Sequence, residues 1–528
     1  VRKLIFLPFA ILLAGLNALA QHKLDVIHYV YEIGLQDNDD RITVDVGIRF
    51  RPLAKMDTLV WDLTAPVGEG MKGMKVSSLF INEDPVRFLQ RDQELLVIPR
   101  RALSDTTEYL LKASYSGIPV DGLIISKTRY DSRSFFADNW PNRGHNWMLC
   151  HDFPGDKAKV DFVVTAPTKY TVVANGLKFA EYPAAEGFRT THWREEVPIA
   201  SKVMVIGVAE MAVGQVALFD NCIPVFSYVY PQDRAKGFYD YALTSDILKY
   251  YQELVGPYGY RKLANVQSKT IFGGLENANT IFYMETSVDG KRGAESLMAH
   301  EVAHQWFGNM VGEKEFAHIW LSEGFATYLT IMYMEYTHGR EKAIEMLKED
   351  RRNVIDFAAR SNLPVVNHDR DYMQLLNANS YQKGGWILHM IRSEIGDSLF
   401  RKVLRRYYAD FYGGVADSHD FQRIVEDLSG QRWTRFFDQW LNKPGIPRLR
   451  IAWRYLPASR QAEVKIEQLQ KADFEFPLSV LFRCQNGKER TEIIKVKGPE
   501  TKVLIDLPEK PAEMIADPDT RLLFEQVK

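Results

Sequence analysis

The sequence predicts a multidomain α+β protein in three parts: a β-rich N-terminal domain, a mixed and then helical middle, and a small C-terminal β-sandwich. Three observations predict it. At 528 residues the chain is too long for one hydrophobic core. Its apolar period is two up to about Tyr228, near 3.6 over much of the stretch to Trp440, and two again beyond it. Lys443-Pro444-Gly445-Ile446-Pro447, a run of turn formers, separates the last two textures.

Taken in order, residues 1–20 come first. Arg2 and Lys3 precede an apolar run from Leu4 to Leu16, and Ala18-Leu19-Ala20 closes it. A basic start, a short apolar core and a small-x-small exit read as a secretory signal peptide cut after Ala20. The run is shorter than the ~20 apolar residues that span a bilayer. The expectation is therefore an exported protein with no stable membrane span after cleavage, in a bacterial periplasm by first preference. Over 21–228, Ile42, Val44, Val46, Ile48 and Phe50 alternate with polar residues or glycine, as on a half-buried strand. Leu59–Leu63, Val160–Val164 and Val203–Val208 repeat that texture. Residues 229–445 open with a helix expected over Arg234–Val255, which Gly256-Pro257 stops. Short strands are expected from Val266 to Tyr283 and helices thereafter; Phe400, Leu404, Tyr407 and Phe411 fall on one helical face. In 446–528, Val464-Lys465-Ile466, Val480-Leu481-Phe482 and Ile493-Ile494-Lys495-Val496 predict the sandwich strands.

Composition excludes some functions. Lys plus Arg number 66 against 68 Asp plus Glu, so no basic footprint for nucleic acid is expected. Three widely spaced cysteines, Cys150, Cys222 and Cys484, are no disulfide framework and lack the paired spacing of a structural zinc site. Buried, inert thiols are expected.

The chemistry concentrates at His300-Glu301-Val302-Ala303-His304. Four residues make about one helical turn, so both imidazoles point the same way. Zinc accepts neutral nitrogen ligands at ~2.0–2.1 Å, and one rigid helix presents two of them. Glu301 is turned about 100° from His300 and can reach a metal-bound water rather than the metal. Two helical histidines alone could equally be packing residues. A third ligand decides: Glu323, in Trp320-Leu321-Ser322-Glu323-Gly324-Phe325-Ala326, opens a helix expected to end at His338-Gly339. Two histidines and one carboxylate with an open fourth position make a catalytic zinc site, one Zn2+ per chain. Such an ion lowers the pKa of its water toward ~7. Glu301 is placed to take the proton as general base and return it to a leaving amine.

With Gln305-Trp306-Phe307-Gly308-Asn309 following, and Glu323 at this spacing, the segment resembles the gluzincin aminopeptidases of family M1. Gly273-Gly274-Leu275-Glu276-Asn277 is similar to that family's Gly-x-Met-Glu-Asn motif. Tyr381-Gln382-Lys383-Gly384 is similar to its Tyr-x-Lys-Gly motif. Trp140-Pro141-Asn142-Arg143 and Cys150-His151-Asp152-Phe153-Pro154 resemble a stretch of its N-terminal domain. The resemblance implies a saddle-like N-terminal β domain, a thermolysin-like α/β catalytic domain and the C-terminal β-sandwich. It implies that Glu276 binds the substrate's free α-amino group, which has a pKa near ~7.7–8.0 and pairs with a fixed carboxylate. Gly273, Gly274 and Leu275 would let a peptide backbone approach, and Tyr381 would donate a hydrogen bond to the oxyanion. The activity implied is zinc-dependent removal of the N-terminal residue from peptides with a free N-terminus. Leu275 stands where the family usually has Met, and the glutamine that some members contribute from the β domain is not evident. Two other readings remain open: a thermolysin-like endopeptidase, and a non-catalytic peptide-binding relative.

Overall fold

The computed structural model describes residues 23–68, 71–220 and 222–527. The expected signal peptide over residues 1–20 lies outside the described residues. The chain divides into two compact units, Val1–Lys249 with Tyr258–Gly312 and Tyr250–Pro257 with Glu313–Lys528.

The first unit is built on sheets. Its largest has eight strands, in the order Leu177–Pro183, Phe188–Ala200, Lys157–Pro167, Leu24–Gly34, Ile42–Pro52, Tyr109–Ile118, Gly73–Ile81 and Asp84–Pro85. Ile42, Val44, Val46, Ile48 and Phe50 are all buried, as their alternation predicts. They pair antiparallel with Tyr109–Ile118, Val44 opposite Tyr115 and Ile48 opposite Leu111. A four-stranded sheet contains Arg133–Ala137 between Ile206–Ala209 and Leu123–Lys127.

A five-stranded sheet runs Ala212–Phe219, Ile223–Val229, Leu263–Ser268, Thr280–Met284 and Gly274–Leu275. Gly274–Leu275 forms one edge of this sheet. Its first two strands come almost wholly from before residue 229, so strand-like sequence on both sides of that position joins one sheet.

The single helix expected over Arg234–Val255 is instead two, α1 (Arg234–Tyr241) and α2 (Thr244–Leu254). The physical cause is side-chain competition for the backbone. The Thr244 hydroxyl donates to the Tyr241 carbonyl (2.7 Å) and accepts from the Asn265 amide (2.9 Å). Asp240, fully buried, accepts from the backbone N–H groups of Asp289, Gly290 and Arg292. Tertiary bonds at both residues fix the turn. Helix α3 follows at Glu295–Ala303.

The second unit is helical and then β. Helix α4 spans Trp320–His338 and stops at Gly339, whose φ of 88° suits a residue without Cβ. Helices α5 (Arg340–Ala358), α6 (Gly384–Ile395) and α7 (Asp397–Asp410) follow. Phe400, Leu404 and Tyr407 of α7 are buried. Lys383, just before α6, is fully buried, and its Nζ donates to the Gly445 carbonyl (2.9 Å), tying the expected linker down. Burial pushes its ammonium down to about 7. Beyond it lie a four-stranded sheet (Glu500–Asp506, Gln461–Gln468, Arg448–Leu456, Glu525–Val527) and a three-stranded one (Glu489–Val496, Phe476–Cys484, Pro511–Ala516). Trp453 of one meets Phe482 of the other edge-on at 6.1 Å. β, mixed and helical, then β is the order the apolar periods predict.

All three cysteines are free, and only Cys150 is buried; Cys222 is exposed and Cys484 half-exposed, against the expectation of three buried thiols. Among the described residues no helix is long and apolar enough to cross a membrane.

Helices α4 and α6 cross where two glycines meet. A Cβ on Gly324 would stand 2.8 Å from Cα and C of Gly384 and 3.2 Å from the Ser380 carbonyl oxygen. Those are backbone atoms and cannot rotate away, so the crossing depends on both glycines. Gly324→Ala is expected to destabilise the fold by about 1–3 kcal/mol through overpacking. A lower thermal midpoint by differential scanning calorimetry checks it; an unchanged midpoint contradicts the crossing.

Candidate active site

Helix α3 forms because Met298, Ala299, Val302 and Ala303 give it a buried face of good helix formers, with Glu295 in its first turn. His300 and His304 lie one turn apart on it, and the His304 N–H bonds the His300 carbonyl at 3.3 Å. Their rings are nearly perpendicular (81°), and the two Nε2 atoms approach to 3.1 Å. His304 Nδ1 lies 3.2 Å from the Phe307 carbonyl oxygen. A carbonyl only accepts, so Nδ1 carries the hydrogen and the Nε2 lone pair is left for another partner. Two nitrogens bound at ~2.0–2.1 Å to a tetrahedral ion lie about 3.3–3.4 Å apart, close to the spacing here.

Glu323 reaches this chemistry from the first turn of α4, as its position in the sequence predicts. His300, His304 and Glu323 each offer a ligand atom, and those atoms lie within 4.8 Å of one another. His304 is 1% and Glu323 2% exposed. Two imidazoles and a carboxylate fit a metal ion: the donors are of the right kind, one histidine is held in the ligating tautomer, and the atoms converge.

Glu301, one residue on from His300, is 4% exposed. Its side chain occupies the space a Cβ would take on Gly274, with Glu301 Cδ 2.5 Å and Cγ 2.6 Å from that position. Any side chain at 274 would thus have to displace the Glu301 carboxylate. Glu276, Glu301 and His304 form a second group whose ligand atoms lie within 4.8 Å of one another. His304 belongs to both.

Glu276 follows the edge strand directly. Gly274 pairs with Tyr283 and Leu275 with Phe282, and the Met284 N–H donates to the Gly273 carbonyl at 2.9 Å. Leu275 is 1% exposed, so the residue standing in place of the family's methionine is a core side chain. The Glu276 carbonyl accepts from Gln305 Nε2 (2.9 Å) and Asn309 Nδ2 (2.6 Å), while Gln305 Oε1 accepts from the Asn279 N–H (2.8 Å). The task of Gln305 and Asn309 is not visible in the sequence. The available signal was two amides just past an apolar helix, which need partners when buried.

Tyr381, half-exposed, lies in a π-turn over Asn379–Lys383 that leads into α6. Single π-turns of this kind recur at functional sites. The next glycine after it, Gly384, packs on Gly324, the neighbour of Glu323. Tyr381 and Glu323 therefore stand on segments locked together by backbone contact.

Comparison with known proteins gives this geometry a context. The family description "Peptidase family M1 domain" matches residues 239–440, and "Peptidase M1 N-terminal domain" matches residues 28–203. The chain is 27% identical to aminopeptidase M1-C of Oryza sativa subsp. japonica over 382 residues, 67% of this chain and 42% of the relative. It is 24% identical to leucine aminopeptidase 2 of Emericella nidulans over 455 residues, 80% of this chain and 68% of the relative. It spans 42%, 36% and 41% of the length of three rice aminopeptidases, less than half of each. The crystal structure of Legionella pneumophila aminopeptidase A in complex with aspartic acid matches with a TM-score of 0.82 at 17% identity, over 96% of this chain and 60% of that one, a likeness of fold. Two matched regions of one family thus run in order along most of the sequence, the fold agrees over nearly all of it, and the chain belongs to peptidase family M1.

Proposed function

We propose that the chain is a zinc aminopeptidase that releases the N-terminal residue of peptides with a free α-amino group. One observation carries the proposal: His304 shares one 4.8 Å group with His300 and Glu323 and another with Glu276 and Glu301. A metal-type donor set and two buried carboxylates meet at one side chain. The aminopeptidase names of the relatives support the same activity.

In this proposal His300, His304 and Glu323 would hold the zinc. Zinc, when bound, supplies a Lewis acid that polarises the scissile carbonyl and makes a water acidic near pH ~7. Glu301 would act as the general base, taking a proton from the attacking water and passing it to the leaving amine. The edge strand Gly274–Leu275, with Gly273 before it, lies against the substrate backbone as an added strand would, and Glu276 pairs with the substrate ammonium. Tyr381 donates a hydrogen bond to the developing oxyanion.

An endopeptidase fits less well. Glu276 is 4% exposed, and a carboxylate this far from water suits a chain terminus bearing a charge better than the middle of an uncharged chain. A peptide that begins there offers its α-ammonium to that carboxylate. Export to a periplasm belongs to the same proposal and rests on Arg2, Lys3 and the apolar run to Leu16.

Purified protein is expected to release dye from aminoacyl p-nitroanilides, to lose that activity with 1,10-phenanthroline, and to regain it with Zn2+. No release from any member of a twenty-residue panel, with zinc supplied, would sink the proposal. Glu301→Gln should keep zinc by atomic absorption yet lose about 10²–10⁴ in kcat, the usual worth of a positioned acid–base group. Full turnover in that variant would remove Glu301 from the role. Glu276→Ala should raise KM for free-amine peptides by about tenfold or more, roughly one lost charge-assisted pair. An equal loss on N-acetylated peptides would contradict an amine anchor.

A further inference from the structure

The strand that carries Glu276 is only two residues long, yet it must hold a carboxylate to within a fraction of an ångström. Its far end is gripped by Gln305 and Asn309. Its near end is gripped from the four-stranded sheet. Asp138, at the end of the strand Arg133–Ala137, is 0% exposed. Its Oδ2 accepts from the Thr270 hydroxyl and from the Ile271 N–H, both at 3.0 Å. Its Oδ1 accepts from Arg143 Nη2.

Arg143 is itself fixed. Its Nε donates to the Trp140 carbonyl (2.9 Å) and its Nη1 to Asp121 (2.7 Å), and its guanidinium lies 5.8 Å from the centre of the Phe272 ring. Residues 270, 271 and 272, which lead directly into Gly273, are therefore all held by one buried ion pair. Phe136, two residues before Asp138, packs edge-on against Phe282, the partner of Leu275 in the sheet (5.6 Å).

A fully buried carboxylate is costly unless paired and hydrogen-bonded. Here it is satisfied by a backbone N–H whose own residue, Ile271, is 60% exposed. Beyond the bond from the Phe272 N–H to the Thr270 hydroxyl (3.1 Å), this half-buried loop needs a fixed point outside itself. The ion pair provides it.

We propose that Asp138, with Arg143, is a positioning residue for the amine anchor, setting the path of 270–272 so that Glu276 meets the substrate's α-ammonium. This rests on the aminopeptidase reading above. Asp138 acts through the backbone and touches no reacting atom, so its loss should weaken capture of the free amine and leave the chemical step largely intact.

Asp138→Ala is expected to raise KM for aminoacyl p-nitroanilides about tenfold with kcat within about threefold, the pattern of lost binding rather than lost transition-state stabilisation. Asp138→Asn keeps an oxygen for the Ile271 N–H and should recover much of that KM. Hydrogen–deuterium exchange followed by mass spectrometry should show 270–276 exchanging about tenfold faster in Asp138→Ala, with the α3 peptides unchanged. Should Asp138→Ala fail to fold, Thr270→Ser keeps the hydroxyl while Thr270→Val removes its bonds to Asp138 and to the Phe272 N–H; Thr270→Val should move KM and exchange in the same direction and Thr270→Ser should not. Unchanged KM and unchanged exchange at 270–276 in a folded variant would overturn the positioning role. A fall in kcat alone would overturn it too. Wild-type protein without turnover would instead overturn the aminopeptidase reading, and this inference with it.

Discussion

Charge balance in a dry place is the constraint on which the rest of this structure depends. Glu276, Glu301 and Glu323 are 4%, 4% and 2% exposed, and each shares a 4.8 Å group with His304. Carboxylates taken out of water repel one another and lose hydration worth several kcal/mol each. Such a collection is stable only where donors or positive charge face it, and His304 stands in both groups. A divalent cation on one side and an ammonium on the other would complete the balance.

The scaffold answers that demand with rigid parts. The histidines and Glu301 come from one helix, so their relative angles are set by helical geometry rather than by loops. Glu323 comes from the first turn of a nineteen-residue helix whose crossing with its neighbour is fixed by glycine against glycine. The edge strand is short, and its rigidity is borrowed: amides of Gln305 and Asn309 hold one end and the Asp138–Arg143 pair the other. Side chains outside the group around His304 thereby fix the backbone of residues inside it.

What was legible in the sequence was what depends on local spacing. The strand at Ile42–Pro52, the stop of α4 at Gly339 and the place of Glu323 in its first turn follow from periodicity and capping. The grouping of His300, His304 and Glu323 was legible because a helical i, i+4 pair and a carboxylate at a helix start are written in one dimension. Tertiary hydrogen bonds were not. The break between α1 and α2 is made by Asn265 and by the loop at 289–292, far along the chain from Thr244 and Asp240. The Gly274–Leu275 strand is too short to show a period at all. The internal reason for glycine at 274, the bulk of Glu301, could not be read until the fold brought the two together.

That last contact reaches beyond this one site. In many binding clefts a glycine beside the ligand is the easiest position for evolution or a designer to enlarge, narrowing a pocket one methyl at a time. Here the volume next to Gly274 is already owned by a neighbouring acid, so any larger residue must evict it. A substitution at this position therefore acts first on where the Glu301 carboxylate can stand, and only through it on the space around His304.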